Sequence, residues 1–264
     1  MARTPDGPPP ALAVQRLRVR YAKRGRLRFA SHRDFARAFE RALRRAGVPI
    51  AFSAGFSPHP KVSYANAAPT GVASEAEYLE IGVIERCEPE RVRAALDASL
   101  PPGLDILEVV EAGPGSLADR LEASRWRLVL PGVPVEVAGA AVAEFLAREE
   151  VIVERLTKNG VRSFDARAAV LAVEVAGGAG VGASEVAAED APGDGDAPGE
   201  GPCAILHVVV RHVTPAVRPD DVLEALHRVA DLAPPVPVQV TRLAQGPHDE
   251  ATGEIDDPLA PDRG

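Results

Sequence analysis

The hydrophobic period changes once, sharply, between Val14 and Ala46, and that change constrains the chain more than any other feature. Across residues 14–22, Leu17, Val19 and Tyr21 alternate with Arg16, Arg18 and Arg20. A period of two makes a strand with one buried face and one cationic face. Lys23-Arg24-Gly25 then reads as a turn, after which Leu27 and Phe29 alternate with Arg26 and Arg28. Ser31-His32-Arg33-Asp34 is a capping box, with Ser31 at the N-cap and Asp34 at N3. Phe35, Ala38, Phe39, Ala42, Leu43 and Ala46 follow at helical spacing and form a buried stripe. Arg33, Arg37, Arg41 and Arg44 fall roughly opposite it, and Gly47 and Pro49 stop the helix.

Residues 53–74 are punctuated by Pro and Gly and include Gly55-Phe56-Ser57-Pro58-His59-Pro60-Lys61. Two prolines flanking a histidine exclude a helix and predict a stiff, extended loop that displays His59 and Lys61. Strands are expected over Glu77 to Val83 and Leu104 to Val110, with a helix over Glu88 to Leu100 that starts on Pro89. The order β-α-loop-β-β-α-β fits a ferredoxin-like unit. After Pro114 the order returns. Strands are expected at Arg125 to Leu130, Ile152 to Leu156, Phe164 to Val175, Ala204 to Val213 and Val236 to Leu243, and helices at Ala138 to Arg148 and Pro219 to Val229. The expected fold class is therefore α+β, with two tandem ferredoxin-like (βαββαβ) domains over 12–113 and 114–243. Residues 1–11 read as a disordered lead-in. Residues 176–202, rich in glycine and acids, read as a disordered insertion, and 244–264 as a disordered tail.

The formal charge of −8 conceals a strong segregation. Between Val14 and Ser63 stand 13 Lys/Arg against only Asp34 and Glu40, a balance of +11, while the remainder carries 17 bases against 36 acids, or −19. Such a distribution points to a polyanion partner, or to a basic face that docks on acidic protein. Nearly all the positive charge is arginine, whose planar fork pairs with phosphates and stacks on bases.

Several chemistries are excluded. Cys87 and Cys203 are far apart and form no CxxC or disulfide framework, which fits a reducing, cytoplasmic setting. No apolar run approaches the roughly 18 residues of a membrane span, and the first ten residues lack the apolar core of a signal peptide. The histidines show no metal-ligand spacing. There is no GxGxxG, Walker loop, GxSxG elbow or CxxxCxxC run.

Three segments carry a resemblance: Arg28-Phe29-Ala30-Ser31-His32-Arg33-Asp34, Arg41-Ala42-Leu43-Arg44-Arg45-Ala46-Gly47, and the loop from Gly55 to Lys61, extended by Gly71 to Tyr78. Together they resemble the radical-SAM-linked family of uncharacterised bacterial proteins. Its members stand alone or are fused behind a cobalamin-type radical SAM enzyme. The resemblance implies such an enzyme as partner, with S-adenosylmethionine and the iron-sulfur cluster held there and no cofactor in this chain. More weakly, the N-terminal half resembles the repeat-cleaving CRISPR endoribonucleases of the RAMP superfamily. Those enzymes place a glycine-rich loop before the last strand, whereas residues 231–237 here contain no glycine.

The expected function is a non-catalytic RNA-binding adaptor working with a radical SAM enzyme in ribosomal or transfer RNA modification or processing. Its expected contacts are Arg16, Arg18, Arg20, Arg28, His32, Arg33, Arg37, Arg41, Arg44, His59 and Lys61, acting by phosphate pairing and arginine stacking rather than through aromatic platforms. Two alternatives stay open: a metal-independent endoribonuclease of RAMP type with His32 as acid/base, and a protein-docking module without nucleic acid.

Overall fold

The computed structural model describes residues 11–54, 56–158, 160–177 and 201–263. The lead-in expected over 1–11 and the insertion expected over 176–202 lie almost wholly outside the described residues. The chain divides into two compact units, Met1–Asp119 with Pro258–Gly264, and Arg120–Asp257.

The first unit runs β1 (Gln15–Lys23), α1 (His32–Arg45), β2 (Val62–Ala65), β3 (Ala73–Val83), α2 (Pro89–Asp97) and β4 (Leu104–Glu111). Its strands lie in the order β4-β1-β3-β2, with antiparallel neighbours throughout. The alternation of β1 buries Leu17, Val19 and Tyr21, and the stripe of α1 buries Phe35, Phe39, Ala42 and Leu43 against them. The Tyr21 and Phe35 rings stack at 4.3 Å, and Phe39 follows Phe35 at 5.8 Å. Such offset aromatic pairs add to the burial that holds helix on sheet.

The alternation at 26–29 does not continue the strand. Gly25 takes φ +52°, which turns the chain off the line of β1, and Gly25–Phe29 closes into a short 3-10 helix. Leu27 packs on the core there, while Phe29 is left 60% exposed.

The second unit runs β5 (Ala123–Pro131), α3 (Val135–Leu146), β6 (Ile152–Thr157), β7 (Gly160–Asp165), β8 (Val170–Ala176), β9 (Cys203–Arg211), α4 (Pro219–Ala230) and β10 (Gln239–Gly246). Its main sheet follows β10-β5-β9-β8, again antiparallel, and β6 pairs only with β7 as a separate hairpin. The single strand expected over 164–175 is broken. The Asp165 carboxylate accepts from the backbone N–H of Val151 at 2.9 Å, Arg167 at 2.9 Å and Ala168 at 3.2 Å. An aspartate that gathers following amides in this way makes a turn, not a strand. Arg155 ties the hairpin to α4. It donates to Asp221 at 3.0 Å and to the Ala216 carbonyl at 2.8 Å, and Asp221 also accepts from the Arg218 N–H at the start of that helix.

The tail differs from expectation. Leu259 and the Asp262 side chain are fully buried in the first unit, and Arg263 clasps Glu108 with two contacts of 2.7 Å. The sequence after Ala244 predicted disorder, but Leu259, Asp262 and Arg263 hold the end of the chain in place there. This is a mixed α/β chain with antiparallel sheets and, among the described residues, four α-helices. No described helix is long and apolar enough to cross a membrane.

Candidate nucleic-acid interface

The two arginine sets that the sequence groups together have different fates. On β1 the charge is spent internally. Arg16 pairs with Glu80 at 3.1 Å. The Arg18 side chain is fully buried, bonded to Asp262 at 2.7 and 2.8 Å, to Glu80 at 3.2 Å and to the Gly115 carbonyl at 2.6 Å. Arg20 donates to the Glu75 carbonyl at 3.0 Å. Next along, Arg24 contacts both Glu75 and Asp105. Its hydrogen bond to Glu75 raises its pKa first, and the charges of both carboxylates add to that. Arg18 is thus withdrawn from the contact set, because a guanidinium with no exposed surface cannot reach a phosphate. Arg16 and Arg20 face a sheet surface already compensated by acids and backbone oxygens.

The helix set is free. α1 begins at Ser31, whose hydroxyl oxygen accepts from the Asp34 N–H at 3.2 Å and whose O–H donates to the Asp34 carboxylate at 2.6 Å. That hydroxyl, and then the nearby Arg37 and Arg33, hold the Asp34 carboxyl below its ordinary pKa. Arg33, Arg37, Arg41 and Arg44 are all exposed. Among the described residues no carboxylate ion-pairs with any of them. Arg44 donates only to the Glu40 carbonyl at 3.3 Å, and Arg45 to the Ser99 carbonyl. Steps of four residues along an α-helix advance about 6 Å, so Arg33, Arg37, Arg41 and Arg45 form a ladder of charge along one side. A guanidinium row that forms no ion pair among the described residues has the chemistry to pair with a polyanion.

The remaining expected contacts do not join this row in one cluster. Arg28 lies over the Phe29 ring at 4.8 Å. His32, exposed at the first turn of α1, meets the Tyr64 ring edge-on at 4.6 Å. Burial, and then Glu40, push the Tyr64 hydroxyl above its ordinary pKa. Among the described residues no carboxylate or second histidine hydrogen-bonds to His32, so an acid/base partner is missing. His59 is exposed on a loop closed at its root by the Phe52–Pro60 bridge. Ser53 N–H donates to the His59 carbonyl at 2.8 Å, and His59 N–H donates to the Ser53 hydroxyl at 3.0 Å. The register of β2 on β3 pairs Ser63 with Glu80 and Tyr64 with Leu79. By strand alternation Lys61 therefore lies on the Glu80 side of the sheet, and the core-facing Tyr64 side holds α1. Among the described residues no three His, Cys, Asp or Glu side chains form a group that could hold a metal ion.

Sequence reasoning missed the aromatics. Phe56 is 69% exposed and Phe52 39% exposed, both in the His59 loop, and Phe29 is exposed at the end of the 3-10 helix. A single Phe between Gly and Ser has no periodic signal. The signal that could have found Phe56 is its place in a Pro-rigid loop with no apolar partner.

This is a two-unit, antiparallel α/β chain whose first unit carries a row of exposed arginines on one helix. The chain belongs to the bacterial family described as "Uncharacterized protein conserved in bacteria (DUF2344)", whose model matches residues 16–219. A search of curated proteins finds no match.

Proposed function

We propose that this chain is a non-catalytic RNA-binding adaptor of the cytoplasm, which presents ribosomal or transfer RNA to a cobalamin-type radical SAM enzyme. The observation that carries the reading is the exposed guanidinium row of α1, beside a β1 whose arginines are already paired. Radical SAM chemistry belongs to the partner, because Cys87 and Cys203 are both free and far apart in sequence, and do not make the three-thiolate set that ligates a cluster. S-adenosylmethionine and the cluster are accordingly assigned to that enzyme on the strength of the family resemblance.

The tandem ferredoxin-like layout is part of the same reading. The strand order fourth-first-third-second in the first unit, repeated by the four main-sheet strands of the second once the β6-β7 hairpin is set aside, supports it. Folds of this kind offer an open sheet face to RNA. Here that face of the first unit is neutralised by Glu80 and Asp262, so the helix side becomes the binding side.

The test is crosslinking and sequencing of RNA bound to the tagged chain in cells, beside an R37E/R41E variant. Enrichment of one RNA class that vanishes in the variant is expected. Equal recovery from both would overturn the reading, and a stable protein complex free of RNA would replace it with the docking alternative. Labelled RNA incubated with excess protein should stay intact. Cleavage that disappears in H32A would establish the ribonuclease alternative instead.

A further inference from the structure

We infer that Phe56 is a stacking finger, whose ring takes an unpaired nucleobase of single-stranded RNA. The inference rests on the RNA-binding reading and deepens it, naming the kind of RNA bound and an interaction that does not depend on charge.

Exposing a phenylalanine ring to water forfeits the stabilisation that its burial would bring. At 69% exposed, Phe56 forfeits most of it. Phe35, Phe39, Tyr21 and Tyr78 of the first unit are buried, whereas Phe29 and Phe52 are exposed, though less than Phe56. The loop that carries it is tied at its base. The Phe52–Pro60 bridge and the reciprocal Ser53–His59 bonds close its root, Lys61 N–H donates to the Ala51 carbonyl at 2.7 Å, and Pro58 and Pro60 restrict its return limb. A ring on a loop with a closed root loses less entropy when it is covered than one on a free tail.

The choice of occupant follows from chemistry. From Arg41 to Ser74 the chain contains no Asp or Glu, while it carries Arg41, Arg44, Arg45 and Lys61. His59 and Lys61 are both exposed at the loop. An apolar ring in a stretch of chain that carries cations and no acids suits a ligand that is flat and aromatic at one point and anionic at the next. A single nucleic-acid strand has that alternation, with bases for the ring and phosphates for the cations. A duplex hides its bases in the stack and offers the ring nothing. The Phe29 ring already carries the Arg28 guanidinium at 4.8 Å. Among the described residues neither a ring nor a guanidinium stacks on Phe56, so its faces are open to a base.

The test uses the full chain with F56W. Trp126, 5% exposed, is the chain's one native tryptophan and stays as an internal reference. Single-stranded RNA of mixed sequence should quench the new tryptophan, and inorganic polyphosphate should bind without quenching it. In parallel, F56A should weaken single-stranded RNA binding from about 5-fold to over 100-fold, the range seen for single stacked bases, and leave polyphosphate affinity unchanged. F56L keeps the apolar character without the π-face and should behave like F56A, with an unchanged melting curve to show that the fold is intact. If RNA binds F56W without quenching and F56A binds as tightly as wild type, the finger does not stack, and the adaptor reading survives on α1 alone. If wild type binds neither RNA nor polyphosphate, both fall together.

Discussion

The Arg18 guanidinium and the Asp262 carboxylate, 244 residues apart in sequence, meet at 2.7 and 2.8 Å with both side chains fully buried. The pair is reinforced by Glu80 at 3.2 Å on the arginine and by the Gly113 N–H at 2.9 Å on the aspartate. It converts the central arginine of β1 from a candidate RNA ligand into an internal strut, and it draws the final residues of the chain into the first unit.

Breaking that pair should be costly and mending it cheap. D262A leaves a buried guanidinium short of a partner and should lower the unfolding free energy by about 3–5 kcal/mol. The apolar double variant R18M/D262L should recover most of that loss. Denaturant titration of the three proteins measures this. RNA affinity of the double variant should equal that of wild type, since Arg18 has no accessible surface.

On α1 the expectation is reversed: large effects on binding, small ones on stability. R37E/R41E removes two exposed guanidinium groups that form no ion pair among the described residues, and stability should move by no more than about 0.5 kcal/mol. Binding to single-stranded RNA should weaken, and its salt dependence should flatten by roughly 0.7 in log K per log unit of salt for each phosphate no longer neutralised. Affinity measured at several salt concentrations gives the slope directly. An unchanged slope would remove α1 from the interface.

Phe39 anchors α1 on the sheet with no exposed surface, between Phe35 and the strand side chains beneath. F39A should cost about 3–5 kcal/mol through reduced burial and the cavity left behind. The exposed Phe56, truncated in the same way, should leave the melting temperature nearly unchanged. Thermal denaturation of the two variants separates a core phenylalanine from a functional one.

Acid should weaken the second unit through His212. Its Nδ1 lies 2.7 Å from the Leu121 carbonyl, which can only accept, so Nδ1 carries the proton and Nε2 accepts from the Ser124 hydroxyl at 2.7 Å. Burial first, and then the charge of Arg242, hold this histidine below its ordinary pKa. His207 is shifted the same way, mainly by burial. With the folded value depressed, the unfolded chain binds more protons below its own value of about 6.5. Stability is therefore fully present above that pH and falls as pH drops through it, until the folded state also protonates. Denaturant midpoints taken from about pH 7.5 down to about 5.5 should decline, and H212Q should show a shallower decline.

The sequence by itself determined the local elements of the first unit. The period-two run of Leu17, Val19 and Tyr21 became β1, and the stripe from Phe35 to Leu43, capped at Ser31, became α1. Those features depend on neighbours a few residues away, which a sequence displays. It also determined that positive charge gathers in one segment. The tertiary structure alone decided which of those charges are available. Arg18 and Arg37 look alike in a pattern of alternation or of helical faces, but one meets Glu80 and Asp262 and the other meets solvent. The carboxylates that neutralise β1 arrive from 62 and 244 residues away. Periodicity assigns a side chain to a face. Whether that face stays in water is set by what the rest of the chain brings to it, because a charge is free only if no buried partner lowers its energy more than water does.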